Sequence, residues 1–278
     1  MFDDVEFYLE DLKSKFKKIN PKEYYLSYSG GKDSHFLYWF IKEYLHDTDI
    51  QIVACNTYME HHEIRERMYK YADIVLKPKM KPFEIKEKYG SPCFSKQQDF
   101  FIYYFQKGTK SKSILKRFYG ADDSWHNVSD KAREYVLSGN AHKISPWCCK
   151  YLKKEPFHLY EKESGKKAIL GIRGSESKMR LSQYKTCFTK DKKFTPLHDL
   201  TDELINKIYQ KYDIEIPKVY DYVTRTGCMG CPYGSYKGDV KQELELLSDS
   251  QLRFVKEYFK ESYEVLNIDT NNIQQKLF

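Results

Sequence analysis

Two groups of residues carry chemistry by their types and spacing. The first is the hexapeptide Ser29-Gly30-Gly31-Lys32-Asp33-Ser34. Paired glycines let a backbone approach a phosphate closely and take dihedrals that a side chain forbids. The two serine hydroxyls and Lys32 add donors, and Asp33 can orient a loop amide or help hold Mg²⁺ on the phosphates. The run is not a Walker A loop, which would need glycine at Leu26, and it is not GxGxxG. Arg173 and Arg180 offer planar, always charged, bidentate guanidinium groups suited to a pyrophosphate, although each alone could be a surface arginine or an ion-pair partner. The second group is four cysteines, the adjacent Cys148-Cys149 and the CxxC of Cys228 and Cys231. Zinc would need all four sulfurs around one ion, and neighbouring side chains diverge too far for that. A [4Fe–4S] cube spreads its irons, so each cysteine can take its own corner. The cluster is therefore favoured, with structural zinc or buried free thiols as the alternatives. Cys55 ends an apolar strand and reads as core. Cys93, after Ser91-Pro92, and Cys187, among Lys185, Lys190, Lys192 and Lys193, read as plain thiols, with reactivity open to both. His61-His62 reads as a solvated helix start.

The elements that must position these residues follow from hydrophobic periodicity. Val5, Tyr8, Leu9, Leu12 and Phe16 have helical spacing and predict an N-terminal helix within residues 1–22. Tyr24 to Tyr28 predicts a buried strand that runs directly into the Gly-rich hexapeptide. The period then becomes helical at Phe36, Leu37, Phe40, Ile41 and Leu45. Strand, turn and helix in that order bring backbone N–H groups and the positive end of a helix dipole to one point, where anions bind. Further strands are predicted at 50–55, 74–76 and 168–170, with a helix near 62–71 between the first two. This alternation predicts an α/β fold, an open and mainly parallel sheet with helices on both faces. Residues 82–137 read as mostly helical, as do 147–163, 200–212 and 249–266. The chain divides on this reading into the N-terminal helix, an α/β core over 23–185, and a mostly helical C-terminal extension over 186–278. The extension carries the CxxC and packs on the core as one compact unit.

Composition bounds the rest. With 278 residues, 41% hydrophobic and 31% charged, the chain has the make-up of a folded domain. No apolar run reaches the roughly 18 residues of a membrane span, and the acidic, amphipathic N-terminus lacks the pattern of a secretion signal. A cytoplasmic protein with reduced thiols and no membrane partner is expected. The net charge of +7 is uneven. Residues 77–118 hold eleven Lys or Arg against three Asp or Glu, and the aromatics interleaved there suit a polyanion or a core equally well.

The hexapeptide matches the SGGxDS pyrophosphate loop, and the chain resembles the PP-loop superfamily of ATP pyrophosphatases and phosphoadenosine phosphosulfate (PAPS) reductase-like proteins. Asn56-Thr57 followed by Glu60 resembles the family's NTGxE segment, with Tyr58 where glycine is usual. Gly171 to Ser177 with Arg180 resembles GxRxxES…R. Residues Pro196 to Thr201 and Arg225 to Pro232 resemble later blocks, and Cys148 to Lys153 resembles the CCxxxK segment of the adenylyl-sulfate reductase branch. The likeness spans about residues 23–235. It implies an adenine nucleotide alpha-hydrolase-like fold in which ATP is cleaved between its α- and β-phosphates. It places nucleotide on Ser29, Gly30, Gly31, Lys32, Asp33, Ser34, Asn56, Thr57, Arg173 and Arg180. Lys32, Asp33 and Arg173 would be catalytic, and Cys148, Cys149, Cys228 and Cys231 would hold a [4Fe–4S] cluster.

Two departures choose between reactions. Sulfonucleotide reductases of this superfamily usually have a degraded loop, whereas all six positions are intact here. They also use a nucleophilic cysteine near the C-terminus, whereas the last cysteine here is Cys231. The expected function is an ATP pyrophosphatase that adenylates an acceptor with Mg²⁺, sulfur then being delivered with help from the cluster. This resembles the ATPase of DNA phosphorothioation systems or a cluster-dependent tRNA thiolase. A tRNA or DNA acceptor and a sulfur donor such as a cysteine desulfurase are the implied partners. The alternatives are an adenylyl-sulfate or PAPS reductase, and a non-catalytic nucleotide- or nucleic-acid-binding module with a structural metal.

Overall fold

The computed structural model describes residues 3–120, 127–176, 178–224, 226–237, 240–271 and 273. In chain order the elements are α1 (Asp4–Phe16), β1 (Tyr24–Tyr28), α2 (Lys32–Trp39), β2 (Gln51–Cys55), α3 (His62–Tyr71), β3 (Ile74–Leu76), α4 (Pro82–Tyr89), α5 (Lys96–Gln106), α6 (Lys112–Tyr119), α7 (Asp130–Leu137), α8 (Glu155–Ser164), β4 (Lys167–Ile169), α9 (Lys178–Gln183), α10 (Asp202–Lys211), α11 (Val240–Glu245), α12 (Asp249–Tyr258) and α13 (Lys260–Leu266). The fold is α/β with an open parallel sheet, and the C-terminal part of the chain is mostly helical. Among the described residues no helix is long and apolar enough to cross a membrane, and the seven cysteines are free.

The strand order is β3-β2-β1-β4. All pairings are parallel, with Leu26 opposite Ile52 on one side and opposite Ile169 on the other. A strand flanked on both sides and covered on both faces must be apolar along its whole length, and in β1 Tyr24, Tyr25, Leu26 and Tyr28 are all buried. The order also makes β1 a topological switch point, since the chain moves from β1 to β2 and β3 in one direction and places β4 on the other edge. Open α/β sheets bind ligands outside the carboxyl ends of the strands at such a point.

The chain forms two compact units that interleave in sequence. Unit 1 comprises residues 1–56, 62–77 and 156–221, and unit 2 comprises 57–61, 78–155 and 222–278. These bounds differ from the division at 185/186 read from the sequence, because the chain crosses between units several times without any shift in composition. Unit 1 contains the sheet. The stripe predicted for α1 is its buried face, and Phe16 packs edge-on against Phe194 at 5.2 Å. The α1 residue Lys15 is buried and pairs with Asp199 at 2.6 Å and Asp11 at 2.9 Å.

Unit 2 has two apolar clusters. One gathers Cys93, Phe94, Ile102, Phe118, Val128, Ala132, Val136 and Ile144. The other includes Cys148, Met229, Leu244, Val255, Tyr258 and Phe259. The helix read over 147–163 is present and unbroken, widening to a π-helical turn at Cys149–Lys154 that runs into α8, whereas the one read near the C-terminus is interrupted. Residues 249–266 form two helices divided at Phe259, whose ψ of 13° leaves the helical range.

Two histidines are held neutral by desolvation, the buried His35 of unit 1 and the half-buried His142 of unit 2. His35 contacts the Tyr28 hydroxyl at 3.0 Å and is pushed down to about 3, while His142 is pushed down to about 4. An unfolded histidine takes up its proton near pH 6.5. The stabilisation is therefore full above that pH and is lost as the pH falls toward the folded values. For His35 the loss between pH 7 and pH 5 is about 2 kcal/mol. Urea unfolding at both pH values should show this slope in the wild type and a shallower one in His35→Gln. Equal slopes would mean that His35 is protonated in the folded chain.

Candidate functional site

The Gly-rich hexapeptide lies where β1 hands over to α2. Gly30 has a φ of +74°, and a Cβ there would sit 2.7 Å from the Ile64 carbonyl oxygen, so the turn accepts only glycine without moving α3. Ser34 locks the turn: its hydroxyl donates to the Gly31 carbonyl at 3.0 Å, accepts from the Ser29 amide at 3.2 Å, and lies 3.0 Å from the Ser29 hydroxyl. Gly31 occupies the N-cap position, and no side chain caps α2. The Lys32 amide donates to the Tyr220 hydroxyl at 3.0 Å. The α2 dipole thus presents its positive end at the carboxyl edge of the sheet with a glycine at the cap, the geometry that receives an anion.

The segment after β4 closes on the same point. Gly171 comes so near that a Cβ would lie 3.0 Å from the Asp33 carbonyl carbon and the Ser34 nitrogen. Arg173 is buried; its Nε donates to Asp33 at 2.8 Å, and its Nη1 donates to Ser175 at 3.1 Å and to Asp202. Burial pushes the Asp33 carboxyl up while Arg173 pulls it down, and burial followed by the Arg173 charge pulls the Lys32 amine down. Arg180 on α9 pairs with Glu176, and its charge is felt at Asp33. Ser29 to Ser34, Arg173 and Arg180 are thereby brought into one neighbourhood of unit 1. Ser177 and Arg225, quoted for the resemblance, lie outside the described residues.

Three further residues at this point carry no local signal in the sequence. Asn206 accepts from the Lys32 amine, Tyr209 donates to the Lys32 carbonyl at 2.6 Å, and the Lys32 amine lies 5.4 Å from the Tyr209 ring centroid. Tyr220 holds the Lys32 amide. Asn206 and Tyr209 lie on α10, where Ile205, Ile208 and Tyr209 have the spacing of an ordinary core face, so only the fold reveals them.

Asn56 and Thr57 fall on either side of the division between units. Asn56 ends β2, where its amide takes the Leu76 carbonyl at 3.0 Å and its side chain donates to Tyr69 at 2.9 Å. Thr57 is buried in unit 2 and donates from its amide to Glu60 at 3.1 Å and from its hydroxyl to the same carboxylate at 2.5 Å. Tyr58 has a φ of +67°. A tyrosine therefore stands in the left-handed region that glycine prefers, at the position where the resembled segment carries glycine; this costs about 1 kcal/mol. His61, read as solvated, is instead buried, with Nε2 at 2.9 Å from the Leu246 carbonyl, because 57–61 is threaded into unit 2.

The four cysteines meet in unit 2 at one apolar cluster, Cys148 within it and Cys149, Cys228 and Cys231 packed against it. Their thiols act on one another. The hydrogen bond between the vicinal pair pulls Cys149 down to about 6 and pushes Cys148 up, while burial pushes Cys228 and Cys231 up. The charge of Cys228 pushes the Lys153 amine up, with Glu60 and Cys149 adding to it. Lys153 and Glu60 are thus part of this centre, although only the CCxxxK and NTGxE spacings hint at them. The CxxC turn is held by Met229 N to Met59 O at 2.7 Å, Gly230 N to Glu243 at 3.2 Å, and the Tyr233 hydroxyl to Asp99 at 2.7 Å. Asp99 also accepts the amides of Cys93 and Phe94 at 2.7 and 3.0 Å, and burial pushes it up to about 7. Among the described residues no three or more His, Cys, Asp or Glu converge as on a single metal ion. Cys55 and Cys93 are buried, as core thiols are. Burial pushes the half-buried Cys187 thiol up, and it lies 3.8 Å from His198 Nδ1.

No protein-family model matches the chain, and no curated protein matches it. The solved structures similar to it include the following three. The NAD⁺ synthetase from Burkholderia pseudomallei is 14% identical, over 94% of this chain and 92% of that one, with a TM-score of 0.41. The U34-tRNA thiolase NcsA from Methanococcus maripaludis, with its [4Fe-4S] cluster, is 12% identical over 98% and 82%, with a TM-score of 0.41. The NH3-dependent NAD synthetase from Campylobacter jejuni, in complex with a nitrate ion, is 13% identical over 99% and 97%, with a TM-score of 0.38.

Proposed function

We propose that the chain is a PP-loop, PAPS reductase-like ATP pyrophosphatase. It binds ATP at Ser29 to Ser34, adenylates an acceptor with release of pyrophosphate, and supports sulfur transfer to the activated atom. The observation that carries this reading is the Ser29–Ser34 turn at the switch point of the sheet, with glycine at the cap of α2 and Arg173 beside it. The acceptor attacks the α-phosphorus and pyrophosphate leaves. Charge grows on the leaving group, and the loop amides, Lys32 and Arg173 stabilise it. Mg²⁺, when bound, adds to that neutralisation.

Phosphate competes with the carboxylates of Asp33 and Asp202 for the Arg173 charge. Its Nη1 partner Asp202 is 69% exposed, whereas Asp33 on Nε is 16% exposed. Releasing the exposed carboxylate costs little, about 0.2–1 kcal/mol, so Asp202 leaves and Asp33 stays to hold the guanidinium in plane. Asp202→Asn is expected to tighten ATP binding by about two- to fivefold, measured by titration; weaker binding would show that Asp202 positions Arg173 instead.

Four thiols, Cys148 in one apolar cluster and Cys149, Cys228 and Cys231 packed against it, are the donor chemistry of an iron–sulfur group. Cys148, Cys149, Cys228 and Cys231 would hold it, and when bound it would hold or polarise the sulfur to be transferred. Lys153 lies beside these sulfurs and offsets their negative charge. Free cysteines suit the reducing cytoplasm, where a donor such as a cysteine desulfurase would supply sulfur. Anaerobically purified protein incubated with ATP, Mg²⁺, a sulfide source and either tRNA or DNA should yield pyrophosphate on adenylation and AMP when sulfur displaces it from the acceptor. ADP and phosphate as products, or no cleavage with any acceptor, would overturn the reading.

A further inference from the structure

The basic, aromatic-rich part of unit 2 separates into two populations. Phe94 and Phe118 are core, and Phe105 stacks on Phe118 at 3.6 Å. Phe100, Tyr103 and Tyr104 on α5, with Trp147, belong to neither apolar cluster of the unit and are only half-buried. Trp147 stands edge-on to all three, 6.1, 5.6 and 6.4 Å away. Beyond it the Lys150 amine lies 5.3 Å from the Trp147 ring and 5.1 Å from the Tyr151 ring, and Tyr151 stacks on Tyr89 at 4.7 Å. Lys107 and Lys88 cover the rings of Tyr103 and Tyr89. Lys88, Lys96, Lys107 and Lys150 are exposed, and among the described residues none of them pairs with a carboxylate.

We infer that this face binds an unpaired stretch of nucleic acid, with bases stacked on the Trp147–Tyr151–Tyr89 rings and phosphates on the four lysines. Half-exposed rings offer π-faces that any base can use, and unpaired lysines interleaved with them track a backbone. A duplex keeps its bases stacked on one another and could use only the charge. Trp147 precedes and Lys150-Tyr151 follows the vicinal cysteines, so a base held here lies beside residues proposed to carry sulfur. In that respect the inference rests on the proposed function and names the acceptor class; the binding itself does not depend on ATP.

The test is fluorescence anisotropy without ATP, using labelled 12-nucleotide oligo(rU), oligo(dT) and a duplex of equal length. The single strands should bind more tightly than the duplex, with affinity falling as salt rises. Preference for oligo(rU) would identify RNA as the source, and preference for oligo(dT) would identify DNA. Trp147→Ala or Tyr151→Ala should weaken single-strand binding about ten- to a hundredfold, Trp147→Phe should restore most of it, and Lys107→Glu with Lys150→Glu should flatten the salt dependence. ATP binding at the loop should be unchanged in every variant. Duplex binding as tight as single-strand binding, or ring variants that bind like the wild type, would overturn the inference. Intact oligonucleotide binding without ATP cleavage would instead overturn only the proposed function.

Discussion

Replacing Lys32 by alanine is expected to lower pyrophosphate release at least about a hundredfold while leaving the fold in place. One preorganised donor aimed at developing charge is worth about 2.7–4 kcal/mol of barrier. Folding should survive because the main chain at this position makes its own bonds, from the amide to Tyr220 and from the carbonyl to Tyr209, and alanine keeps both. The variant loses the amine, which rests on Asn206 and near the Tyr209 ring. That amine must swing from α10 to phosphate during the reaction, which its four-carbon stem permits. Lys32→Arg should keep the charge and recover part of the rate. The measurement is pyrophosphate release at saturating ATP, with circular dichroism as the fold control. Wild-type turnover in Lys32→Ala would remove the lysine from the chemistry.

The parts of the site that were legible in the sequence are those built by neighbours in the chain. The change of period from Tyr24–Tyr28 to the stripe of α2 located the loop, and the short strand before Gly171 located the segment that closes on it. What remained hidden was made by contacts across long separations. The segment around Gly171 marked Arg173 but not its pairing with Asp33 from 140 positions away, and nothing local marked Tyr209, which meets Lys32 from 177. The aromatics of 82–119 were ambiguous for a related reason. Phe118 and Tyr119 are adjacent aromatics, yet one is fully buried and the other is 52% exposed. Burial there is decided by how α5 and α6 pack, which composition does not encode. The interleaving of the two units was invisible because the crossings carry no mark of their own, and the one at 155/156 falls inside α8.

Replacing Cys228 by serine is expected to remove the iron–sulfur group and sulfur transfer together, while pyrophosphate release persists. The loop, Lys32 and Arg173 belong to unit 1 and the cysteines to unit 2, so the groups that bear on the leaving pyrophosphate are not built on the cysteines. A serine oxygen is a hard donor that binds iron in such a cluster poorly compared with a thiolate. Iron and sulfide, measured after anaerobic purification, should fall from about four of each per chain to near zero, with the visible absorption lost in parallel. Pyrophosphate release should stay within about twofold, because none of the residues assigned to phosphate is touched. A wild type that binds one zinc per chain, or that transfers sulfur while colourless, would assign the four cysteines a structural role. A variant that loses pyrophosphate release as well would show that the cysteine centre is needed before adenylation, and the order of steps proposed above would then be wrong.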